Sequence, residues 1–250
     1  MSREIDVLYQ GALARVTLQR PDKGNALSAT LVAALTQAFE DAAAREVRLL
    51  VLAGAGRHFC TGFDLSDLDA HTDDSLLARF TRVELMLQAL HAAPFDTLAL
   101  AQGRTMGAGA DLFGACAQRW IVDDASFAFP GAAFGLVLGT ARLADAVGPL
   151  QARAWVESGA LFGGDEALAS GWAQRRVGAD ALDAEIARLA ARSQRLDAQT
   201  QTAIHRALDA NRRPRGDAGA ALDLRRLVQS AARPGLRERI AAYRAAQKKA

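Results

Sequence analysis

The sequence predicts an α/β fold with a largely parallel sheet and a helical extension at the C-terminal end. Through the first part of the chain, short apolar runs alternate with helical patterns, as in chains where helices cross between parallel strands. Glycine-rich loops directly follow two of these runs, where open α/β folds place their ligands. Beyond about residue 140, the pattern becomes almost entirely helical.

Composition limits the class of protein before any motif is considered. The chain has 250 residues, of which 50% are hydrophobic and 23% charged, so a sizeable core can form. The net charge of +2 argues against a nucleic-acid-binding protein. Two cysteines fit a reducing compartment, and we see neither a signal peptide nor a run of about 18 apolar residues. We therefore expect a soluble cytoplasmic protein with no nucleic-acid or membrane partner.

The first elements are two strands and a helix. Strands are predicted over residues 7–9 and over Leu13–Leu18, with Gly11 between them. Ser28 is a plausible N-cap for the helix that follows. The apolar face of that helix recurs every four residues, at Leu31, Leu35 and Phe39.

The middle of the chain repeats a strand–loop–helix pattern. Its strands are short continuous apolar runs, as expected of strands buried on both faces: 48–53, 97–101 and 120–122. Helices are expected over 76–91 and 107–117.

Helices dominate the C-terminal part. They are predicted at 165–171, 180–195, 198–211, 220–231 and 234–247. We expect an α/β core over 1–190 and a helical region over 191–250. Residues 1–130 carry 11 basic and 16 acidic residues (net −5), and residues 131–250 carry 19 and 12 (net +7). This division fits either solvated arginine-bearing helix faces or a surface that meets an anion or a partner subunit.

The two glycine-rich loops do not match nucleotide-binding motifs. Neither completes the GxGxxG fingerprint, and no glycine–lysine–Ser/Thr triplet occurs. Glycine lets a backbone approach a ligand closely, and a loop that enters a helix presents free N–H groups. Two such loops could place two donors on one carbonyl oxygen, forming an oxyanion hole, or each could be a tight turn.

Three strings carry a resemblance to a known family: RPDKGNALS (20–28), GAGRHFCTGFDL (54–65) and QGRTMGAGAD (102–111). Their order and spacing resemble the crotonase superfamily of enoyl-CoA hydratases and isomerases. This resemblance implies a crotonase-like (ClpP/crotonase) spiral of ββα units and a role in fatty acid metabolism. It also implies a homotrimer or a dimer of trimers, with 191–250 at the subunit contacts.

The resemblance also implies an acyl-CoA substrate, with no cofactor beyond coenzyme A and no metal. In this family, two backbone N–H groups hold the thioester oxygen, and the matching positions are Thr61 and Ala108. Five residues would lie along the CoA path: Lys23, Ala26, Arg57, Asp64 and Leu65. Lys23 could instead be solvated, and Asp64 could be a helix cap.

The acid–base positions decide the reaction. Similar hydratases use two glutamates, and the matching positions here hold Asp111 and Gly131. Asp111 is the best acid–base candidate, although a carboxylate could also sit there to favour a helix N-terminus. Glycine cannot transfer a proton, so isomerase-type chemistry with one base is favoured over efficient hydration. An acyl-CoA hydrolase or decarboxylase and a non-catalytic CoA-binding protein remain alternatives.

Other polar residues are weaker candidates. Four could lean into the acyl pocket: Asp67, Asp69, His71 and Glu84. Cys60 is rejected as a nucleophile because the sequence places no base beside it. His58 is interpreted as a residue that packs within its loop.

Overall fold

A computed structural model describes residues 4–212 and 216–247. Its sheet follows the order β1-β2-β3-β4-β5-β6, with β7 paired to β5. The strands are β1 (Ile5–Gln10), β2 (Leu13–Leu18), β3 (Leu49–Gly54), β4 (Asp96–Met106), β5 (Gln118–Ala128), β6 (Phe162–Gly163) and β7 (Arg175–Val177). Strands β2 to β5 pair in parallel, as does β7 with β5, whereas β1 and β6 pair antiparallel to their neighbours.

Helices occupy most of the rest. They are α1 (Ala29–Ala44), α2 (Asp73–His91), α3 (Ala108–Ala115), α4 (Thr140–Val147), α5 (Pro149–Ser158), α6 (Gly164–Ala169), α7 (Leu182–Ser193), α8 (Ala198–Arg212), α9 (Gly216–Ala231) and α10 (Leu236–Gln247). Short 3₁₀ turns lie at Pro21–Lys23, Leu68–Ala70 and Pro130–Phe134. In the described part of the chain, no helix is both long and apolar enough to cross a membrane.

The predicted α/β class is confirmed, and the main differences concern strand length. Strand β4 continues to Met106 and β5 to Ala128, well beyond the apolar runs that predicted them. The extensions carry polar and glycine residues, so their sequence does not show a buried strand. They pair with each other after a register shift between Ala101 and Gly103. The short strands β6 and β7 were not predicted, because two or three residues give no periodic signal.

Both faces of the sheet are buried. One face packs against α1, α2 and α3 through the largest cluster of buried side chains. The other face presents residues such as Leu49, Val51 and Leu98 to Ile186 and Leu189 of α7. Two-sided burial explains why these strands read as continuous apolar runs.

The last two helices pack back onto the same chain. A third apolar cluster joins Phe80 of α2 and Phe134 to Leu227 of α9 and Ile240 of α10. The Asp73 carboxylate accepts hydrogen bonds from three backbone N–H groups at the start of α10, at 2.8–3.1 Å. These contacts hold the start of α10 against the first residue of α2. Residues 213–215 and 248–250, which belong to the predicted region 191–250, lie outside the described residues.

Candidate active site

The loop after β3 and the end of β4 lie side by side. The Met106 N–H donates to the Cys60 carbonyl at 3.0 Å, and the Leu27 N–H donates to the Gly62 carbonyl at 2.7 Å. Gly62 has a φ of +101°, and a Cβ there would lie 2.7 Å from the Met106 oxygen and 3.6 Å from the Ala108 nitrogen. Only glycine allows this approach, which brings the loop against the start of α3.

Two peptide groups in the loop point in opposite directions. The Thr61 N–H donates to the Gly24 carbonyl at 2.9 Å. That bond corrects the prediction for Thr61, because its N–H is already used and points away from β4. In the peptide group that joins Gly62 to Phe63, the carbonyl faces Leu27. This peptide bond is trans, so the Phe63 N–H points in the opposite direction, toward the start of α3.

The second loop also leaves an N–H free. Gly107, with a φ of +50°, donates its N–H to the Ala128 carbonyl at 2.8 Å and precedes the first residue of α3. Ala108 is that first residue, where an intrahelical acceptor is lacking. Within the described residues, neither Phe63 nor Ala108 donates its N–H to another group. The two donors lie beside one cavity, with the positive end of the α3 dipole behind Ala108.

The cavity has a volume of about 470 Å³. Its apolar wall comes from Leu65, Phe80, Phe134, Leu136 and Leu138. Helix α10 closes one side with Tyr243 and Gln247. Among the described side chains that line it, Asp111 carries the one carboxyl group, and Gly131 lines the same cavity without a side chain.

Asp111 is buried, with 7% of its surface exposed. Burial raises the pKa of its carboxyl to about 8, while Arg142 lowers this pKa and Glu84 raises it. The carboxyl lies against the backbone of Gly139, where a Cβ would come within 1.8 Å of Asp111 Oδ1. Glycine at position 139, with a φ of +65°, therefore makes room for the acid.

Behind Asp111 lies a buried ion pair. The Arg142 guanidinium donates to both Glu84 oxygens at 2.8 and 2.6 Å, and the side chains are only 3% and 1% exposed. Gln88 donates to Glu84 at 2.8 Å and to the Ala220 carbonyl of α9 at 2.9 Å. Glu84 is thereby held outside the cavity lining, which excludes it as a side chain that leans into the pocket.

Comparisons with known proteins show the family. The model for enoyl-CoA hydratase/isomerase proteins matches residues 9–249. The chain belongs to the enoyl-CoA hydratase/isomerase family. A crystal structure of a protein described as an enoyl-CoA hydratase/isomerase from Bordetella parapertussis is 41% identical, covers 97% of this chain and 98% of its own, and superimposes with a TM-score of 0.92.

One further relative supports the family, and one further solved structure supports the fold. A probable enoyl-CoA hydratase, echA6, from Mycobacterium bovis is 36% identical over an alignment of 193 residues, which covers 74% of this chain and 77% of that protein. The crystal structure of enoyl-CoA hydratase from Bacillus halodurans is 20% identical, with a TM-score of 0.85 over 96% of this chain and 100% of its own. The predicted crotonase-like fold is confirmed.

The residues matched to the family's CoA path are only partly brought together. Leu65 lines the cavity, and its carbonyl accepts a hydrogen bond from Arg244 of α10 at 2.9 Å. Lys23 and Arg57 are exposed, and Ala26 is half-buried; all three lie outside the cavity lining.

Asp64 also lies outside the lining, and its carboxylate is already bonded. It accepts from Arg20 at 2.8 Å and from the Ser66 N–H at 2.9 Å. Burial opposes ionisation, but these hydrogen bonds outweigh it and lower the pKa of Asp64. Its carboxylate therefore holds the loop after β3 in place.

The polar residues of the variable segment form a separate cluster. Asp67 contacts His71 at 3.1 Å and Arg79 at 3.0 Å, and the Arg79 guanidinium lies 4.4 Å from the centre of the Phe63 ring. Neither they nor the exposed Asp69 line the cavity.

Cys60 and His58, a cysteine and a histidine near the loops, have structural roles. Cys60 is fully buried, and burial raises the pKa of its thiol to about 12, so it stays protonated and unreactive. His58 accepts a hydrogen bond from the Arg104 N–H at 3.1 Å, which agrees with its interpretation as a loop-packing residue.

Sequence reasoning missed several residues of the site. The Phe63 N–H was missed because its direction depends on pairing with Leu27, and a side-chain motif does not show it. Tyr243 was missed because it lies 132 positions after Asp111 and no periodic pattern in the sequence links the two residues.

Proposed function

We propose that this protein is an acyl-CoA-processing enzyme that stabilises a thioester enolate between the N–H groups of Phe63 and Ala108. Both N–H groups are unused within the described chain, and both lie beside the cavity that contains Asp111. Such donors stabilise the oxyanion more than the ground-state carbonyl, which lowers the barrier to enolate formation.

We propose isomerase-type chemistry with Asp111 as the single base. The observation that carries this proposal is the pairing of one buried carboxyl, Asp111, with Gly131 at the other acid–base position of the family. The Asp111 carboxylate would take a proton from C2 of a 3-enoyl thioester, and the electron pair would move onto the thioester oxygen. The same carboxyl would then return the proton to C4, giving the 2-enoyl thioester.

Efficient hydration fits this cavity less well. Adding water across the double bond requires water to be activated and a proton to be delivered to carbon, tasks that similar hydratases divide between two glutamates. Asp111 is largely protonated at neutral pH, because its pKa is raised to about 8. A single carboxyl with this pKa suits transfer of one proton out and back.

The remaining features of the proposal concern substrate and assembly. The substrate would be an acyl-CoA, with coenzyme A the only nucleotide required and no metal or separate cofactor, and with neither nucleic acid nor membrane as a partner. We propose a cytoplasmic homotrimer or dimer of trimers. Residues 1–190 would form its α/β core, and 191–250 would contribute to subunit contacts as well as to the cavity wall.

Product analysis with two substrates tests this function. The protein should convert a 3-enoyl-CoA to the 2-enoyl-CoA, and it should hydrate a 2-enoyl-CoA to the 3-hydroxyacyl-CoA at least about 100-fold more slowly. Hydration as fast as isomerisation would contradict the proposal.

The space at Gly131 favours a second candidate function, the hydrolysis or decarboxylation of an unusual acyl-CoA. Malonyl-, methylmalonyl- and aryl-CoA compounds distinguish it from isomerisation, because each would release free coenzyme A or carbon dioxide. Tight CoA binding with no turnover on any compound would instead identify a non-catalytic CoA-binding protein.

A further inference from the structure

The Glu84–Arg142 pair lies in the interior, away from the solvent and from the cavity lining. An ion pair of this kind is costly to desolvate and contributes little net stability, so its position calls for another explanation. Arg142 lowers the pKa of the Asp111 carboxyl and Glu84 raises it, although the two residues come from different helices, α4 and α2.

The geometry around Arg142 leaves one donor without an acceptor. Its two terminal nitrogens are engaged by Glu84, whereas its Nε is buried with no hydrogen-bond partner. Arg142 follows Gly139 by three residues on α4, and the Gly139 backbone touches the Asp111 carboxyl. Burial alone would lower the pKa of Arg142, but Glu84 raises it, so the guanidinium keeps its charge.

Two charged side chains act on the Asp111 carboxyl, those of Arg142 and Glu84. With Asp111 protonated, Glu84 and Arg142 cancel; with Asp111 ionised, two carboxylates share one guanidinium. From α9, Asp223 also faces Arg142, and it is paired with Arg226 at 3.1 Å. Of the other titratable side chains that line the cavity, Arg104 is exposed and Tyr243 half-buried.

We infer that Glu84 and Arg142 are positioning residues that set whether the Asp111 carboxyl carries its proton. Glu84 holds Arg142 in place and neutralises most of its charge, which keeps Asp111 in its protonated form. Removing the Glu84 charge frees Arg142 to act on Asp111 alone. The role of Asp111 as acid and base rests on the proposed function, but the effect on its proton does not.

The test is a titration of Asp111 without substrate. The carboxyl carbons of aspartate are labelled with carbon-13, and Asp111→Asn identifies the signal by its loss. Glu84→Gln keeps the size of the side chain and removes its charge. The Asp111 midpoint should fall by roughly 1–3 pH units, as expected when a like charge is removed near an opposite one.

Two further variants keep the test decisive. Glu157→Gln removes an equivalent charge from an exposed pair with Arg153 and should leave the midpoint unchanged. If Glu84→Gln does not fold, the double variant Glu84→Gln/Arg142→Gln removes both charges of the pair, and its midpoint should rise because Arg142 acts on Asp111 more strongly than Glu84 does.

An unchanged midpoint in Glu84→Gln, or in the double variant where that one fails to fold, overturns the inference. Enzyme activity separates this result from failure of the proposed function. A shifted midpoint without turnover leaves the inference standing and rejects the function. Turnover with an unshifted midpoint does the reverse.

Discussion

Two walls of the same cavity differ in what they offer to a substrate. On one wall, α3 places Asp111 in a buried pocket prepared by Gly139 and backed by Arg142. On the other wall, the turn Pro130–Phe134 places Gly131 at the cavity surface with no group that can move a proton. Within the described residues, the fold thus combines two unused backbone N–H groups and one acid with an opposite wall that has no side chain at position 131.

The contrast teaches that, in this chain, different features determine the loop scaffold and the side chains of the cavity walls. The loops that carry Phe63 and Ala108 depend on backbone pairing and glycine contacts. The choice of reaction depends on individual side chains in the walls. Each wall can therefore be changed while the other is left intact.

The largest effect is expected from adding a carboxylate to the bare wall. Gly131 has space for a side chain, since a Cβ there would meet its nearest neighbour, the Leu136 oxygen, at 3.8 Å. Gly131→Glu should raise the rate of 2-enoyl-CoA hydration by about 10²–10⁴-fold, the usual contribution of a general acid–base group. Formation of 3-hydroxyacyl-CoA measures it.

Gly131→Gln is the matched control, because it fills the same space without a titratable group. Equal gains in the two variants would show that pocket shape limits hydration, and the contrast between the walls would lose its chemical meaning.

A smaller effect should follow from removing one oxyanion donor. Ala108 is the first residue of α3, a position where proline is tolerated and lacks only the N–H. Ala108→Pro should lower kcat by about 10²–10³-fold, as loss of one such donor does in other enzymes. Steady-state kinetics on the active thioester measures it.

Ala29→Pro makes the same change at the first residue of α1, away from the cavity. It should retain nearly full activity. If both proline variants lose activity alike, a general effect on folding explains the result better than a lost donor.

The buried Asp111 carboxyl should also lower the free energy of unfolding at high pH. The pKa of this carboxyl is raised from 3.8 to about 8 on folding, so its favourable contribution is complete below pH 4 and disappears as the pH rises through about 8. Relative to the native protein, Asp111→Asn should gain on the order of 6 kcal/mol in free energy of unfolding at pH 9, because the pKa rises by about four units at about 1.4 kcal/mol each, and little at pH 4. Urea unfolding at the two pH values measures it, and an equal gain at both would show that Asp111 does not titrate in this range.

The pH dependence of turnover should show the smallest of these effects. If Asp111 is the base, the active form is ionised, and kcat/KM should rise about tenfold per pH unit up to about pH 8 and then level off. Initial rates with 3-enoyl-CoA between pH 6 and 9 measure it. A rate that falls over this range would indicate that the protonated form is the active one.

Much of the fold and part of the site could be predicted from the sequence. The buried strands and the acid at Asp111 follow from local patterns and from the motif at 102–111, and Gly131 follows directly after Phe129 and Pro130. Asp111 and Gly131 do line one cavity.

The features of the site that the sequence did not predict depend on contacts between residues far apart in the chain. Thr61 and Phe63 are two residues apart, and their N–H directions are fixed by partners at Gly24 and Leu27, far from them in sequence. Likewise, Glu84 is 58 residues from Arg142, and nothing local to either residue shows that they pair.

The most direct test compares the native protein with Asp111→Asn on 3-enoyl-CoA, with acyl-CoA binding measured in parallel. The account predicts a loss of kcat for double-bond isomerisation of at least about 100-fold, with Kd for the acyl-CoA changed less than about threefold. An Asn variant that isomerises as fast as the native protein would contradict it.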